Sequence, residues 1–124
     1  MIIGTMRRNT TGGYSGSIKT LAFDAQIELT PAAYSEKENA PGWRLLIGDP
    51  ALGAEIGAGW DRSGPRGLYI ALQIDDPSLA APLRANLVRL GPDDGDLHTE
   101  RGLERHVQLQ RHQRIQPDID QGLG

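Results

Sequence analysis

The chain has 124 residues, enough for one domain with a single hydrophobic core. It contains no cysteine, which excludes a disulfide framework, thiolate metal sites and thiol catalysis. The formal net charge is −3, and the nine basic and nine acidic residues before position 93 balance each other. This argues against binding nucleic acid by bulk charge. No apolar run is long enough for a membrane helix, and the pattern of Met1–Arg8 does not predict a signal peptide. We therefore expect a cytoplasmic protein without a membrane partner.

Alternation of apolar and polar residues with a period of two predicts strands, because successive side chains of a strand point to opposite faces. The clearest run is Leu21–Thr30, and Pro31 is expected to end its pairing. Turn residues separate the runs, so neighbouring strands are expected to form hairpins. We predict a mainly β fold, a single small antiparallel β-barrel or sandwich of about seven short strands, over residues 2–7, 14–20, 21–30, 43–47, 54–60, 68–74 and 83–90.

Two local features qualify this pattern. The bulky residues have even numbers in Tyr14–Ile18 and odd numbers from Leu21 onward, which predicts a bulge or a bend near Thr20. The glycines of Gly53–Gly59 match no phosphate-binding loop, because no lysine follows them and no helix begins there. They predict a bent strand or one that another backbone approaches closely.

The chain changes character after residue 96. We divide it into an antiparallel β domain over residues 1–96 and a polar C-terminal tail over 97–124. Within the tail, Leu103 and Val107 share a helix face, but the apolar stripe is too thin to bury well. We therefore expect the tail to be a marginal helix or disordered.

The sequence does not bring together an evident catalytic or metal-binding set. The three histidines all lie beyond residue 97, and the acidic clusters Asp75–Asp76 and Asp93–Asp96 stand beside Pro or Gly, as in turns. We expect no catalytic residue, no metal site, no cofactor and no small-molecule substrate, and hence a protein that is not an enzyme.

Aromatic and arginine side chains are the remaining candidates for recognition. We expect Trp43 and Trp60 in the core, because each continues an apolar stripe, although exposed aromatics on a sheet could also stack on bases. The candidate interaction surface consists of Tyr14, Arg44, Arg62, Arg66, Tyr69 and Arg84.

Several short motifs in a fixed order resemble the bacterial family catalogued as domain of unknown function 736. They are Ile3–Thr5, Gly13–Leu21, Asn39–Pro41, Glu55–Trp60, Asp75–Ser78, Ala81–Pro82 and Ala85–Leu87. The resemblance covers about residues 2–90 and implies a small β-rich cytoplasmic protein of plasmids and other mobile elements. It supplies no activity and no catalytic residues. The closing strand that the family implies is not recognisable after Asp96, unless Leu97–Arg101 is a degenerate version of it.

Two functions from different classes remain open at this point. The first is a non-enzymatic interaction module that docks on a protein partner or self-associates through an open sheet edge. The second is a nucleic-acid-binding accessory protein that uses an aromatic and arginine-lined β-surface.

Overall fold

The computed structural model describes residues 1–21, 24–48, 53–65, 67–89 and 104–110. In this part of the chain eight antiparallel strands form a closed barrel, and no helix occurs that could span a membrane. The mainly β class is confirmed, and the architecture is a barrel. Its strands are β1 (Ile2–Arg8), β2 (Tyr14–Lys19), β3 (Asp24–Pro31), β4 (Trp43–Ile47), β5 (Ala54–Gly64), β6 (Gly67–Ile74), β7 (Leu83–Arg89) and β8 (Glu104–Leu109).

Each strand pairs with the next one along the chain, and β8 returns to pair with β1. The β1–β2 turn shows how polar residues make such a meander: the Asn9 side-chain oxygen accepts hydrogen bonds from the backbone N–H groups of Thr11 and Gly13, at 3.0 and 2.9 Å. Gly12 lies between them at φ +88°, a conformation that glycine adopts without steric cost. This hairpin and the β5–β6 hairpin are confirmed.

The inward face of every strand supplies the core. Fourteen buried apolar side chains pack into one cluster, and an eight-stranded barrel is just wide enough for side chains to fill. The alternation in the sequence predicts that Phe23, Ile27, Ile56, Ile70 and Leu72 share one dry interior. Four of them do so, namely Ile27, Ile56, Ile70 and Leu72. Phe23 lies outside the described residues.

The β2–β3 connection corrects one expectation. Lys19 pairs with Asp24 across a hairpin, so the change of parity near Thr20 marks a chain reversal and not a bulge within a continuous strand. Leu21 lies in this turn and is fully exposed, although its numbering matches the inward residues of β3. An even number of connecting residues lets even positions of β2 and odd positions of β3 share one face.

The strand β8 corrects the expectation of a helical or disordered tail for residues 104–109. These residues pair with β1 on one side and with β7 on the other, and Val107 is completely buried. They form a strand because every second side chain, at Arg105, Val107 and Leu109, points inward. These three side chains, apolar or with a long aliphatic stem, make up the whole inward pattern of β8. Residues 97–103 and 111–124 lie outside the described residues.

Barrel closure also corrects the expectation of docking or self-association through an open sheet edge. The two strands that would form the edges, β1 and β8, are hydrogen-bonded to each other. Among the described strands, therefore, no row of unpaired backbone groups is available for another chain to extend.

A charge placed inward on β8 is expected to open the barrel. Val107→Asp buries a carboxylate in the apolar core and should lower the free energy of unfolding by at least about 3 kcal/mol, measured by urea denaturation. The matched control is Gln108→Asp, which is exposed on the opposite face of β8 and should change stability by less than about 0.5 kcal/mol. Equal effects of the two substitutions would contradict the assigned register of β8.

Candidate functional site

The outer surface of four consecutive strands collects most of the predicted interaction residues. Directly opposite residues of antiparallel strands point to the same face. Arg44, Ala58, Gln73 and Arg84 therefore form one row across β4, β5, β6 and β7. The next row contains Trp60, Ala71 and Asn86, and a third contains Arg62 and Tyr69. We call these nine residues the β4–β7 face.

A β-bulge in β5 places Trp60 on this face. Leu45 pairs with Gly57 while Leu46 pairs with Glu55, so Ile56 is an extra residue on β5. Ile56 remains buried, and after it the glycines point inward while Ala58 and Trp60 point outward. The expectation that Trp60 lies in the core is therefore wrong. Trp43 does pack against the core, where it is half-buried.

The glycines of β5 are needed for close packing, as predicted. A Cβ atom at Gly57 would meet the backbone carbonyl oxygen of Gln73 on the adjacent strand. At Gly59 it would lie 2.9 Å from the Ile70 side chain and 3.2 Å from the Cβ of Trp43. The strand β5 thus lies tightly against β4 and β6. Because Gly57 and Gly59 occupy little space, larger side chains of β4 and β6 fill the interior beside them.

The Trp60 ring is held in a defined orientation by the β3–β4 loop. Its Nε1–H donates a 2.9 Å hydrogen bond to the carbonyl oxygen of Asn39, which adopts a left-handed conformation at φ 62°. The base of the loop is fixed by hydrogen bonds from the N–H of Ala32 to the oxygen of Gly42 and from the N–H of Gly42 to the oxygen of Gly59. Trp60 is half-buried, so part of the ring remains available for contact.

Tyr14 does not belong to this face. It points toward the barrel interior, whereas the β4–β7 face is on the outer surface. Its ring centroid lies 5.9 Å from that of Trp43, at an interplanar angle of 57°. Trp43 Nε1 donates to Asp61 Oδ1 at 3.1 Å. The structure therefore separates Tyr14 from Arg44, Arg62, Tyr69 and Arg84, which share the β4–β7 face. Arg66, the sixth predicted residue, lies outside the described residues.

Charges on the face are partly compensated. Arg44 Nε lies 2.5 Å from Glu55 Oε1, and both side chains are about half exposed, so this ion pair contributes at most about 1 kcal/mol to stability. Arg62 Nη1 donates to the carbonyl oxygen of Asp61 at 3.2 Å. Arg84 stands exposed on β7.

A shallow groove of about 270 Å³ runs along the face beside Trp60. It is lined by Glu55, Ile56, Gly57, Ala58, Trp60, Gln73 and Asp75. Within the described ranges, no three His, Cys, Asp or Glu side chains come together in a way that could hold a metal ion. The groove thus presents one aromatic ring, one side-chain amide and two carboxylates.

Comparison with known proteins assigns the family. The family model described as "Protein of unknown function (DUF736)" matches residues 2–101. The chain belongs to the DUF736 family. The match ends before β8, so the strand that closes the barrel of this DUF736 protein lies beyond the matched segment. Searches of the curated proteins and of the solved structures found no match.

The Asp75–Ser78 motif of the family resemblance forms a turn after β6, as expected. The Ser78 hydroxyl donates to Asp76 Oδ2, and the Ser78 backbone N–H donates to the same oxygen at 2.9 Å. These two hydrogen bonds, the hydroxyl first, lower the pKa of Asp76 below its ordinary value. The N–H of Leu79 then donates to the Asp76 carbonyl oxygen at 2.9 Å, and Leu79 packs against the core.

Ser78→Ala is expected to raise the pKa of Asp76 toward its ordinary value, because it removes the larger of the two hydrogen-bond contributions. A lowered folded-state pKa stabilises the fold above the unfolded-state pKa, and this stability is lost as the pH falls through the folded-state pKa. The variant should therefore lose less stability on acidification below about pH 4. Carboxyl NMR titration measures the pKa, and Ser63→Ala serves as the control. An unchanged Asp76 pKa in Ser78→Ala would contradict this assignment.

Proposed function

We propose that this DUF736 protein is a non-enzymatic interaction module that docks on a protein partner through its β4–β7 face. The observation that carries the proposal is the placement of Trp60, Arg62 and Tyr69 at adjacent outward positions of β5 and β6. The setting implied by the family resemblance, the cytoplasm of a bacterium that carries a mobile element, is part of the proposal.

The composition of the face supports a protein partner. Trp, Tyr and Arg are the residues that most often dominate the free energy of protein–protein binding. Here Arg62 is directly opposite Tyr69, and the small Ala71 is directly opposite Trp60, which leaves room for a partner's side chain beside the ring. All these residues lie on strands paired on both sides, so little backbone entropy is lost when they are buried.

Docking by side chains agrees with the closed barrel. A partner cannot add a strand to β1 or β8, since each already pairs with the other. Self-association through a sheet edge is therefore no longer part of the proposal, and the wall of the barrel is the surface that remains for contact.

Local charge favours a protein over a nucleic acid. Arg44 is paired with Glu55, and the carboxylate of Asp75 lines the same groove. Arg44 and Glu55 neutralise each other, and Asp75 opposes the remaining Arg62 and Arg84, so a phosphate backbone would not find the strong basic excess that binding by bulk charge needs. Nucleic-acid binding is kept as an outcome of the test below.

The double variant Arg62→Glu/Tyr69→Ala is expected to abolish capture of the partner. The tagged protein is purified from its native host with and without nuclease, and the recovered protein is then titrated in purified form against each variant. Each of the two central contacts is worth roughly 2 kcal/mol, or about 30-fold in affinity, so loss of both should weaken binding by about 700-fold where their effects add. Lys19→Glu, an exposed charge reversal on β2, is the control and should bind like the unmodified chain.

The experiment separates the competing functions. A partner that is retained after nuclease treatment and lost in the double variant supports the proposal. Capture that nuclease abolishes indicates the nucleic-acid function. Equal affinity of the double variant and the unmodified chain, with circular dichroism showing both folded, would contradict docking through this face.

A further inference from the structure

We infer that the groove beside Trp60 accepts a basic side chain, a lysine or an arginine, that the docking partner presents. This inference rests on the proposed function and names the chemistry of the contact. We call the groove, with the lining residues given above, the Trp60 groove.

The shape of the Trp60 groove suits a long, thin side chain. Gly57 and Ala58 line it and have almost no side chain, so the groove forms between Trp60 on β5 and Gln73 on β6. The hydrogen bond from Trp60 Nε1 to Asn39 fixes the ring, which keeps the groove from closing by rotation of the indole. The aliphatic stem of a lysine or arginine packs well along such an apolar surface.

The charge of the Trp60 groove suits a cation. Its two ionisable lining residues are Glu55 and Asp75, and both are acidic. Glu55 is already paired with Arg44 at 2.5 Å, so Asp75 is the carboxylate that remains for a cation from the partner. The Asp75 side chain is exposed and makes no hydrogen bond or ion pair with the described residues. The Trp60 ring lines the same groove and offers an aromatic surface to the stem of the side chain.

An acidic side chain would be disfavoured in the same position. Arg84 stands opposite Gln73 on β7 and does not line the groove. Since Arg44 compensates Glu55, an anion inside the groove would face the uncompensated carboxylate of Asp75, while Arg84 remains on the adjacent surface, where it can contact a neighbouring acidic residue of the partner.

The two tryptophans of the chain give a direct test by NMR. Their indole N–H resonances are assigned with Trp43→Phe, and the protein is titrated with N-acetyl-Gly-Lys-Gly-amide and with N-acetyl-Gly-Glu-Gly-amide. The lysine peptide should shift the Trp60 indole and the Gln73 side-chain amide saturably and leave Trp43 unmoved. Asp75→Asn should weaken this binding about threefold, the size expected for one exposed ion pair.

The control is Asp24→Asn, which removes an exposed carboxylate on β3 outside the groove and should leave the titration unchanged. Equal shifts with both peptides, no shift of Trp60, or full binding by Asp75→Asn would overturn the inference. The two proposals fail separately. If Arg62→Glu/Tyr69→Ala loses the partner while Asp75→Asn binds the partner and the lysine peptide unchanged, docking stands and the groove assignment falls. If the double variant keeps the partner at full affinity, docking through this face falls whatever the peptide titration shows.

Discussion

The backbone pairing of β1 with β8 is the constraint on which the rest of the structure depends. It joins the first strand of the chain to the last described one, with Gly4 opposite Val107 and Met6 opposite Arg105. Without it, β1 and β8 would each present an unpaired edge, and the fully buried Met6 and Val107 would lie along an open seam. Closure therefore protects the backbone and completes the core at the same time.

Closure also limits how a partner could bind. With every described strand paired on both sides, no further strand can be added to the sheet, and the proposed docking therefore uses side chains on the outer wall. The bulge at Ile56 then decides which side chains those are, because it turns Trp60 outward while Ile56 stays in the core. A single extra residue in β5 thus converts a tryptophan that would have filled the interior into part of the β4–β7 face.

Alternation in the sequence predicts the approximate positions of β1 to β7, and it is clearest in β3 and β6. It is weaker in β1, where an irregularity between Ile2 and Gly4 leaves both Ile3 and Met6 buried although they differ in parity. It fails at β8, where Arg105 occupies an inward position and the i, i+4 pair Leu103 and Val107 imitates a helix. It also fails at Trp60, because a bulge changes parity without a sequence signal beyond the neighbouring glycines. Of the site, the arginines and Tyr69 were predictable as surface groups. The exclusion of Tyr14 required the register, which places it opposite the buried Leu29.

The most direct test of this account is a set of backbone NOEs in the full-length protein. Closure predicts cross-strand NOEs between residues 4–6 of β1 and residues 105–107 of β8, as strong as those between β1 and β2. Absence of the β1–β8 NOEs while the β1–β2 NOEs remain, or sequential NOEs typical of a helix over residues 104–109, would contradict the closed barrel.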